Sequence, residues 1–275
     1  MRIAVVAPSS RLSPEVPERV QALAAALCPD GTPELFFHPQ CFASSGHFAG
    51  DDATRAAALI EVANSEAFDA VWFARGGYGS GRLLESALPK LGPAARRKTW
   101  LGYSDGGAIL AALYHEGFEH LAHGPIPQDI LRDGGEAAVG RALAWLVDRD
   151  PAALESSLLA DPRPAAAFNL TILCSMLGTP WQPNLTGHVL MLEEVGEYMY
   201  RIDRSLFQLT SNPAIRRIAG LRLGLCSAIP DNDPDFAQTE VEVARAWCAR
   251  AGIPWLGRAD IGHDVGNKIV PFGTR

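Results

Sequence analysis

The residues best suited to chemistry lie in Gly102-Tyr103-Ser104-Asp105-Gly106, followed by Gly107. The run matches Gly-x-Ser-x-Gly and falls between a strand-like and a helix-like segment, the context that a nucleophile elbow demands. A sharp turn there exposes the Ser104 hydroxyl above a sheet, and flanking glycines relieve crowding. The helix that follows would aim its N-terminal N–H groups at charge developing during acyl transfer. The plainer alternative is a strand-to-helix loop with Ser104 as N-cap. A second glycine-rich run, Arg75-Gly76-Gly77-Tyr78-Gly79-Ser80-Gly81, also follows a strand. It lacks the Lys-Ser/Thr of a phosphate-binding loop and the Rossmann glycine spacing. It fits either a backbone donor to an oxyanion or a tight turn. Loops at the carboxyl ends of parallel strands share one rim, so this run is expected beside Ser104.

A serine nucleophile needs a base, and the base needs an orienting acid. Of the seven histidines, His263 stands out in Ile261-Gly262-His263-Asp264, a turn-like setting. His115 and His120 are near Ser104 in sequence, but His115 falls at the far end of the helix after Ser104 and should point away, and His38, His47, His123 and His188 have no special surroundings. The candidate acids are Glu193, Glu194 and Glu197, after the apolar run His188–Leu192. Strand alternation sends Glu193 and Glu194 to opposite faces, so one of them can face a site. The others then read as surface charge or as partners of Arg201 and Arg204.

The elements that must position these residues alternate in the first half. Ile3–Ala7, Leu35–Phe37, Ala70–Ala74 and Thr99–Tyr103 read as strands; Pro14–Leu27, Asp51–Ser65, the stretch from Gly81 and Gly107–His115 read as helices. That order predicts an α/β fold with a parallel sheet covered on both faces. Residues 136–164 read as a linking region with one helix, Ala137–Val147, separating a nucleophile domain over 1–135 from a C-terminal domain over 165–275. In the latter, Phe168–Leu177 and Tyr200–Gln208 read as helical, His188–Leu192 and Ile218–Cys226 as strands, Phe236–Ala251 as an amphipathic helix closed by Gly252 and Pro254, and Ile269–Gly273 as a last short strand.

The bulk of the chain narrows the partners. Its 275 residues suit one large domain or two modest ones. With 48% hydrophobic and 20% charged residues it should be a globular protein with a real core. A net charge of −7 gives no general attraction for nucleic acid or anionic membrane. The five cysteines show no CxxC pairing and sit among apolar neighbours, so they read as buried thiols in a reducing compartment. The apolar start ends at Pro8, too short for a signal-peptide core, and no stretch is long enough to span a bilayer. The expectation is a cytoplasmic protein acting on a small or peptidic partner.

Further blocks sharpen this. Gly76-Gly77-Tyr78-Gly79 with Arg82-Leu83-Leu84, then Gly102-Tyr103-Ser104-Asp105, Leu177-Gly178-Thr179-Pro180-Trp181, Leu192–Glu197 with Arg201–Arg204, and Gly262-His263 with Pro271-Phe272-Gly273 run in one order along the chain. Together with Phe48–Asp52 they resemble the LD-carboxypeptidase family of serine peptidases. The resemblance implies a triad of Ser104, Glu193 and His263, and so selects among the acids that alternation left open. It implies a Rossmann-like N-terminal domain with the nucleophile, a smaller, partly β-barrel-like C-terminal domain with acid and base, and a cleft between them. It further implies a homodimer that needs no metal or other cofactor and releases terminal D-Ala from murein tetrapeptides during peptidoglycan recycling.

On that reading the backbone N–H groups of Gly77 and Asp105 hold the oxyanion. Arg75 and Arg204 are candidates for the substrate carboxylate, with Tyr78 and Asn169 as further substrate-side candidates. Ala167-Phe168-Asn169-Leu170 stands where the family pattern has Gly-Gly-Asn-Leu, so a bulkier Phe168 is expected to reshape the cleft. The competing readings are a microcin-immunity peptidase of the same family, acting on peptidyl or aminoacyl adenylates, an ordinary α/β-hydrolase esterase, and a binding protein that has lost catalysis.

Overall fold

The computed structural model describes residues 1–29 and 31–274. Strands β1 (Arg2–Val6), β2 (Glu34–Phe37), β3 (Ala70–Phe73), β4 (Thr99–Gly102) and β5 (Leu121–His123) are joined by α1 (Val16–Leu27), α2 (Asp52–Asn64), the short α3 (Leu84–Ala87) and α4 (Pro93–Arg97), and α5 (Gly107–His115). Helix α6 (Gly135–Asp148) leads to β6 (Ala165–Asn169), α7 (Leu170–Met176), β7 (Val189–Val195), α8 (Met199–Ser211), β8 (Gly220–Ser227), α9 (Glu240–Ala251), β9 (Trp255–Arg258) and β10 (Val270–Pro271).

Two sheets result. The first has the order β10-β5-β4-β3-β1-β2, all parallel except β10, which runs antiparallel to β5. The second, β6-β7-β8-β9, is wholly parallel. The α/β class is as expected. Within it the C-terminal sheet is an open, linear order of parallel strands rather than a barrel-like one, with β6 and β9 at its two edges and not paired with each other.

The strands of the first sheet are short apolar runs because both faces are covered. Alternate residues serve opposite layers. Ala4, Val6, Val71, Phe73 and Trp100 join one buried cluster, and Ile3, Val5, Ala70, Trp72 and Leu101 join the other. The first cluster continues through α5 into the second sheet, taking in Ala166, Phe168, Leu190 and Leu192. One buried cluster therefore spans residues of both sheets.

Helix α6, expected in the linking region, packs on the first sheet. Its stripe Val139, Ala142, Leu143 and Leu146 lies in the same cluster as Val16 and Val20 of α1. A helical stripe at this spacing must be covered, and the covering surface is one that sequence spacing does not name. Residues 168–177, expected as one helix, divide into the end of β6 and α7, with Asn169 capping the helix. Strand β10 returns to the first sheet, and Ala165 and Gly273 exchange backbone hydrogen bonds at 3.1 and 2.9 Å, stitching the two sheets together.

Candidate active site

Strand β4 delivers Ser104 to a tight turn, with φ of +56° at a residue that is not glycine. Such backbone costs energy and persists only where its surroundings enforce it. Here Phe73 packs beneath the turn so closely that a Cβ at Gly102 or Gly106 would meet its ring at 2.4 or 2.7 Å. The neighbouring loop presses from the side, where a Cβ on Gly76 would lie 2.8 Å from Ser104 Oγ. The glycine-rich run after β3 thus does lie beside Ser104.

Asp105 locks the turn to its neighbours. Its buried carboxylate accepts from Ser9 Oγ and from Ser80 N, the latter at 2.8 Å, while its carbonyl accepts from Ser80 Oγ at 2.5 Å. Arg55 of α2, wholly buried, donates to the carbonyls of Pro8 and of Gly79. The loops after β1, β3 and β4 are therefore tied into one rim at the carboxyl end of the sheet.

The second sheet brings the other groups. His263, in the loop between β9 and β10, has Nε2 3.0 Å from Ser104 Oγ and Nδ1 2.6 Å from Glu193 Oε2. Glu193 stands near the end of β7 and is fully buried. Its Oε1 has no hydrogen-bond partner among the described residues. The β7–β8 register shifts between Leu192 and Glu194, a bulge of the kind that re-aims side chains beside active sites. Gly224 lies at this irregularity. A Cβ there would stand 2.5 Å from the Ile261 carbonyl and 3.2 Å from Glu193 Cβ. Glycine on β8 thus lets the chain leading to His263 pass close to the acid.

Glu194 faces the other way, as alternation requires. It is buried rather than on the surface, accepting from Asn169 Nδ2 at 2.7 Å and from Thr171 N and Oγ1 at 2.9 and 2.7 Å, at the start of α7. Glu197 pairs with Arg201 at 3.4 Å.

The substrate-side candidates are scattered. Arg75 donates to the Arg11 carbonyl at 3.1 Å. Tyr78 is exposed, its ring near His47 and Phe48. Gly77 is exposed in the same loop with φ of +116°. Asn169 has both ends of its amide occupied, by Glu194 and by the Ile172 N–H. Arg204 is exposed on α8, over the Tyr200 ring. Phe168 points into the core against Phe272 at 5.0 Å rather than into the cleft, because alternation along β6 gives that face to the inter-sheet layer.

Some neighbours escaped the sequence reading. Ser10 Oγ lies 3.2 Å from His47 Nε2, and a Cβ on Gly77 would contact both side chains. The only signal in the sequence was Pro8-Ser9-Ser10 at a strand end. Tyr103, Asp129 and Arg132 form a further network beside His263; nothing in their spacing announced it.

Electrostatics separates the possible nucleophiles. Burial pushes the thiols of Cys41, Cys174 and Cys226 up to about 12 and that of Cys248 to about 11, leaving no thiolate near neutral pH. Burial also drives His123 down to about 3, so it stays neutral. No group of three or more His, Cys, Asp or Glu among the described residues is arranged to hold a metal ion. No described helix is long and apolar enough to cross a membrane.

A serine on a strained strand-to-helix turn, above the carboxyl edge of a parallel sheet and within reach of an imidazole, defines an α/β protein of the serine-hydrolase class. Two family models narrow the class. The LD-carboxypeptidase N-terminal domain matches residues 3–124 and the LD-carboxypeptidase C-terminal domain matches residues 166–275. The chain belongs to the LD-carboxypeptidase family, which makes it a serine carboxypeptidase. Among its relatives, the murein tetrapeptide carboxypeptidase of Pseudomonas aeruginosa is 28% identical over 293 aligned residues, spanning 99% of this chain and 91% of the relative. Among solved structures, muramoyltetrapeptide carboxypeptidase from Oxalobacter formigenes superposes with a TM-score of 0.79 at 24% identity, covering 99% of this chain and 93% of that one. The microcin C7 self-immunity protein MccF, in complex with aspartyl sulfamoyl adenosine, superposes with a TM-score of 0.80 at 17% identity, covering 99% and 91%. At such identities the superpositions speak for the fold.

Proposed function

We propose that this chain hydrolyses the amide bond holding the terminal D-Ala of murein tetrapeptides, with Ser104 as nucleophile, His263 as general base and Glu193 as the orienting acid. The observation that carries the reading is the continuous hydrogen-bonded path from Ser104 Oγ through both ring nitrogens of His263 to a fully buried carboxylate. The substrate rests on the Pseudomonas aeruginosa relative, named a murein tetrapeptide carboxypeptidase.

His263 Nε2 accepts the Ser104 proton as Oγ attacks the scissile carbonyl. Glu193 accepts the Nδ1–H bond, which fixes the tautomer and stabilises the imidazolium. The backbone N–H groups of Asp105 and Gly77 receive the oxyanion, each donor contributing about 2.7–4 kcal/mol. As the tetrahedral intermediate collapses, the C–N bond breaks and the D-Ala nitrogen takes the proton from His263. Water, deprotonated by the same imidazole, then releases the acyl group and restores Ser104. Four of the five thiols are buried and all five are free, Cys28 being half-buried, which fits work in a reducing cytoplasm, and the family resemblance supports a homodimer.

Ser104→Ala tests the reading. The variant should keep its thermal transition, release no D-Ala from the tetrapeptide and take up no fluorophosphonate. Retained D-Ala release, or a wild-type protein that cleaves only aminoacyl adenylate analogues, would overturn it.

A further inference from the structure

The imidazole proposed as base belongs to no helix or strand. Its loop runs from the end of β9 to β10, and residues 264–266 are exposed. Internal backbone bonds are few: Asn267 N to the Asp264 carbonyl at 3.3 Å and Lys268 N to the Asp260 carbonyl at 3.0 Å. Exposed loops with few bonds of their own open easily, whereas a general base must be held to a fraction of an ångström. Within the loop the buried Asn267 adds one side-chain bond, its Oδ1 accepting from Gly262 N at 3.3 Å; the other holding groups come from outside.

Three carbonyls at alternate positions of this loop accept from arginines. Arg132 Nη1 donates to the His263 carbonyl, Arg141 Nη2 to that of Val265, and Arg141 Nε to that of Asn267 at 3.1 Å. Both arginines belong to the part of the chain packed on the first sheet. Arg132 closes the 3-10 turn Pro127–Leu131, and Arg141 lies in the middle of α6. The base's loop is thereby tied to the half that carries Ser104.

Arg132 also reaches the nucleophile's own turn. Its Nε donates to Asp129 Oδ1 at 3.1 Å and its Nη2 reaches Tyr103 Oη at 3.3 Å. Tyr103 Oη in turn donates to Asp129 Oδ1 at 2.9 Å. Tyr103 directly precedes Ser104, and its ring lies tilted against the His263 imidazole at a centroid distance of 4.8 Å. Asp129 is buried, with Oδ2 accepting from Ile126 N at 3.0 Å. A single guanidinium therefore joins the residue before the nucleophile, a buried carboxylate and the backbone of the base.

We infer that Arg132 is a positioning residue for His263, holding the base in register with Ser104, with Arg141 as a second tie on the same loop. The inference rests on the Ser104–His263 reading of the site. Only a planar fork can serve these acceptors together, so lysine is not an equivalent replacement.

The test compares wild type with R132A and R132K. It measures tetrapeptide kcat and KM, the rate of fluorophosphonate labelling at Ser104, and backbone hydrogen exchange over residues 262–268. R132A should exchange about tenfold faster across that loop. Its kcat and labelling rate should fall together by about ten- to a hundredfold, the range that a misplaced catalytic group produces. KM should stay within about threefold, since substrate contacts are kept. Added guanidinium should restore part of the lost R132A rate. R132K keeps a cation beside Asp129 and carries the same test should R132A fold poorly; it should lose activity in the same parameter. Unchanged loop exchange, unchanged kcat, or a loss confined to KM overturns the inference. Should wild type take no label at Ser104, the serine reading fails by itself, and loop exchange still decides whether Arg132 holds the loop.

Discussion

Replacing Glu193 by glutamine changes one atom and tests the proposed mechanism at its most buried point. Oε2 lies 2.6 Å from His263 Nδ1, while Oε1 is buried with no hydrogen-bond partner among the described residues. A glutamine at this position has two choices. With its oxygen toward Nδ1 it preserves the productive tautomer but leaves a buried NH2 without an acceptor, at a cost of about 1–3 kcal/mol. With its NH2 toward Nδ1 it makes a good hydrogen bond, and its oxygen takes the place that already tolerates an unpartnered oxygen. The second arrangement is favoured, and it forces the ring proton onto Nε2, which then faces Ser104 Oγ as a donor and cannot accept its proton. Loss of the correct tautomer in a serine triad lowers kcat by about ten-thousandfold, or about 5.5 kcal/mol of barrier. Steady-state D-Ala release and fluorophosphonate labelling of E193Q, alongside a thermal melt, measure this. Both rates should fall by three to four orders of magnitude, as a rough expectation from the tautomer argument, with the fold intact. An E193Q enzyme within about tenfold of wild type would refute the assignment of Glu193 as orienting acid.

Two other perturbations probe the surroundings. Gly76→Ala introduces a Cβ 2.8 Å from Ser104 Oγ and 2.9 Å from its Cβ; it should lower kcat/KM by about a hundredfold through displacement of the hydroxyl while the melting temperature changes little, and wild-type kinetics would show that the loop does not press on the nucleophile. His123 is held neutral in the fold, pushed from 6.5 down to about 3, so below pH 6.5 the unfolded chain takes up the proton first. Stability from this residue is complete above about pH 6.5 and is lost as pH falls toward 3, amounting to about 2 kcal/mol by pH 5. Urea unfolding of wild type and His123→Gln at about pH 7.5 and about pH 5 should show wild type losing about that much more than the variant; equal losses would place the acid sensitivity elsewhere.

Local chemistry was legible where a short stretch of chain carries it whole. The Gly-x-Ser-x-Gly turn needs only neighbouring residues, and the alternating apolar runs of the first half already require a covered parallel sheet. The opposite facing of Glu193 and Glu194 follows from the two-residue period of a strand, although their common burial does not, since it depends on α7 and on the loop of His263 closing over the two faces. The division at Asn169 was hidden because Phe168–Leu177 is mostly apolar around Asn169, Thr171 and Ser175, and such a run has no clear period that separates a buried strand from a buried helix.

Taken alone, the order of residues determined the elbow, the class of fold, and the blocks at Ser104, Glu193 and His263 that resemble one family. Tertiary structure decided how these meet: the β7–β8 irregularity opposite Gly224 that aims Glu193, the packing of α6 that carries Arg141 to the loop of His263, and the network joining Tyr103, Asp129 and Arg132. Ser104 and His263 are 159 positions apart in the chain, yet 3.0 Å separates Oγ from Nε2. Such contacts are set by which apolar faces cover one another in the buried cluster that spans both sheets, and the spacing of residues along the chain does not encode that pairing.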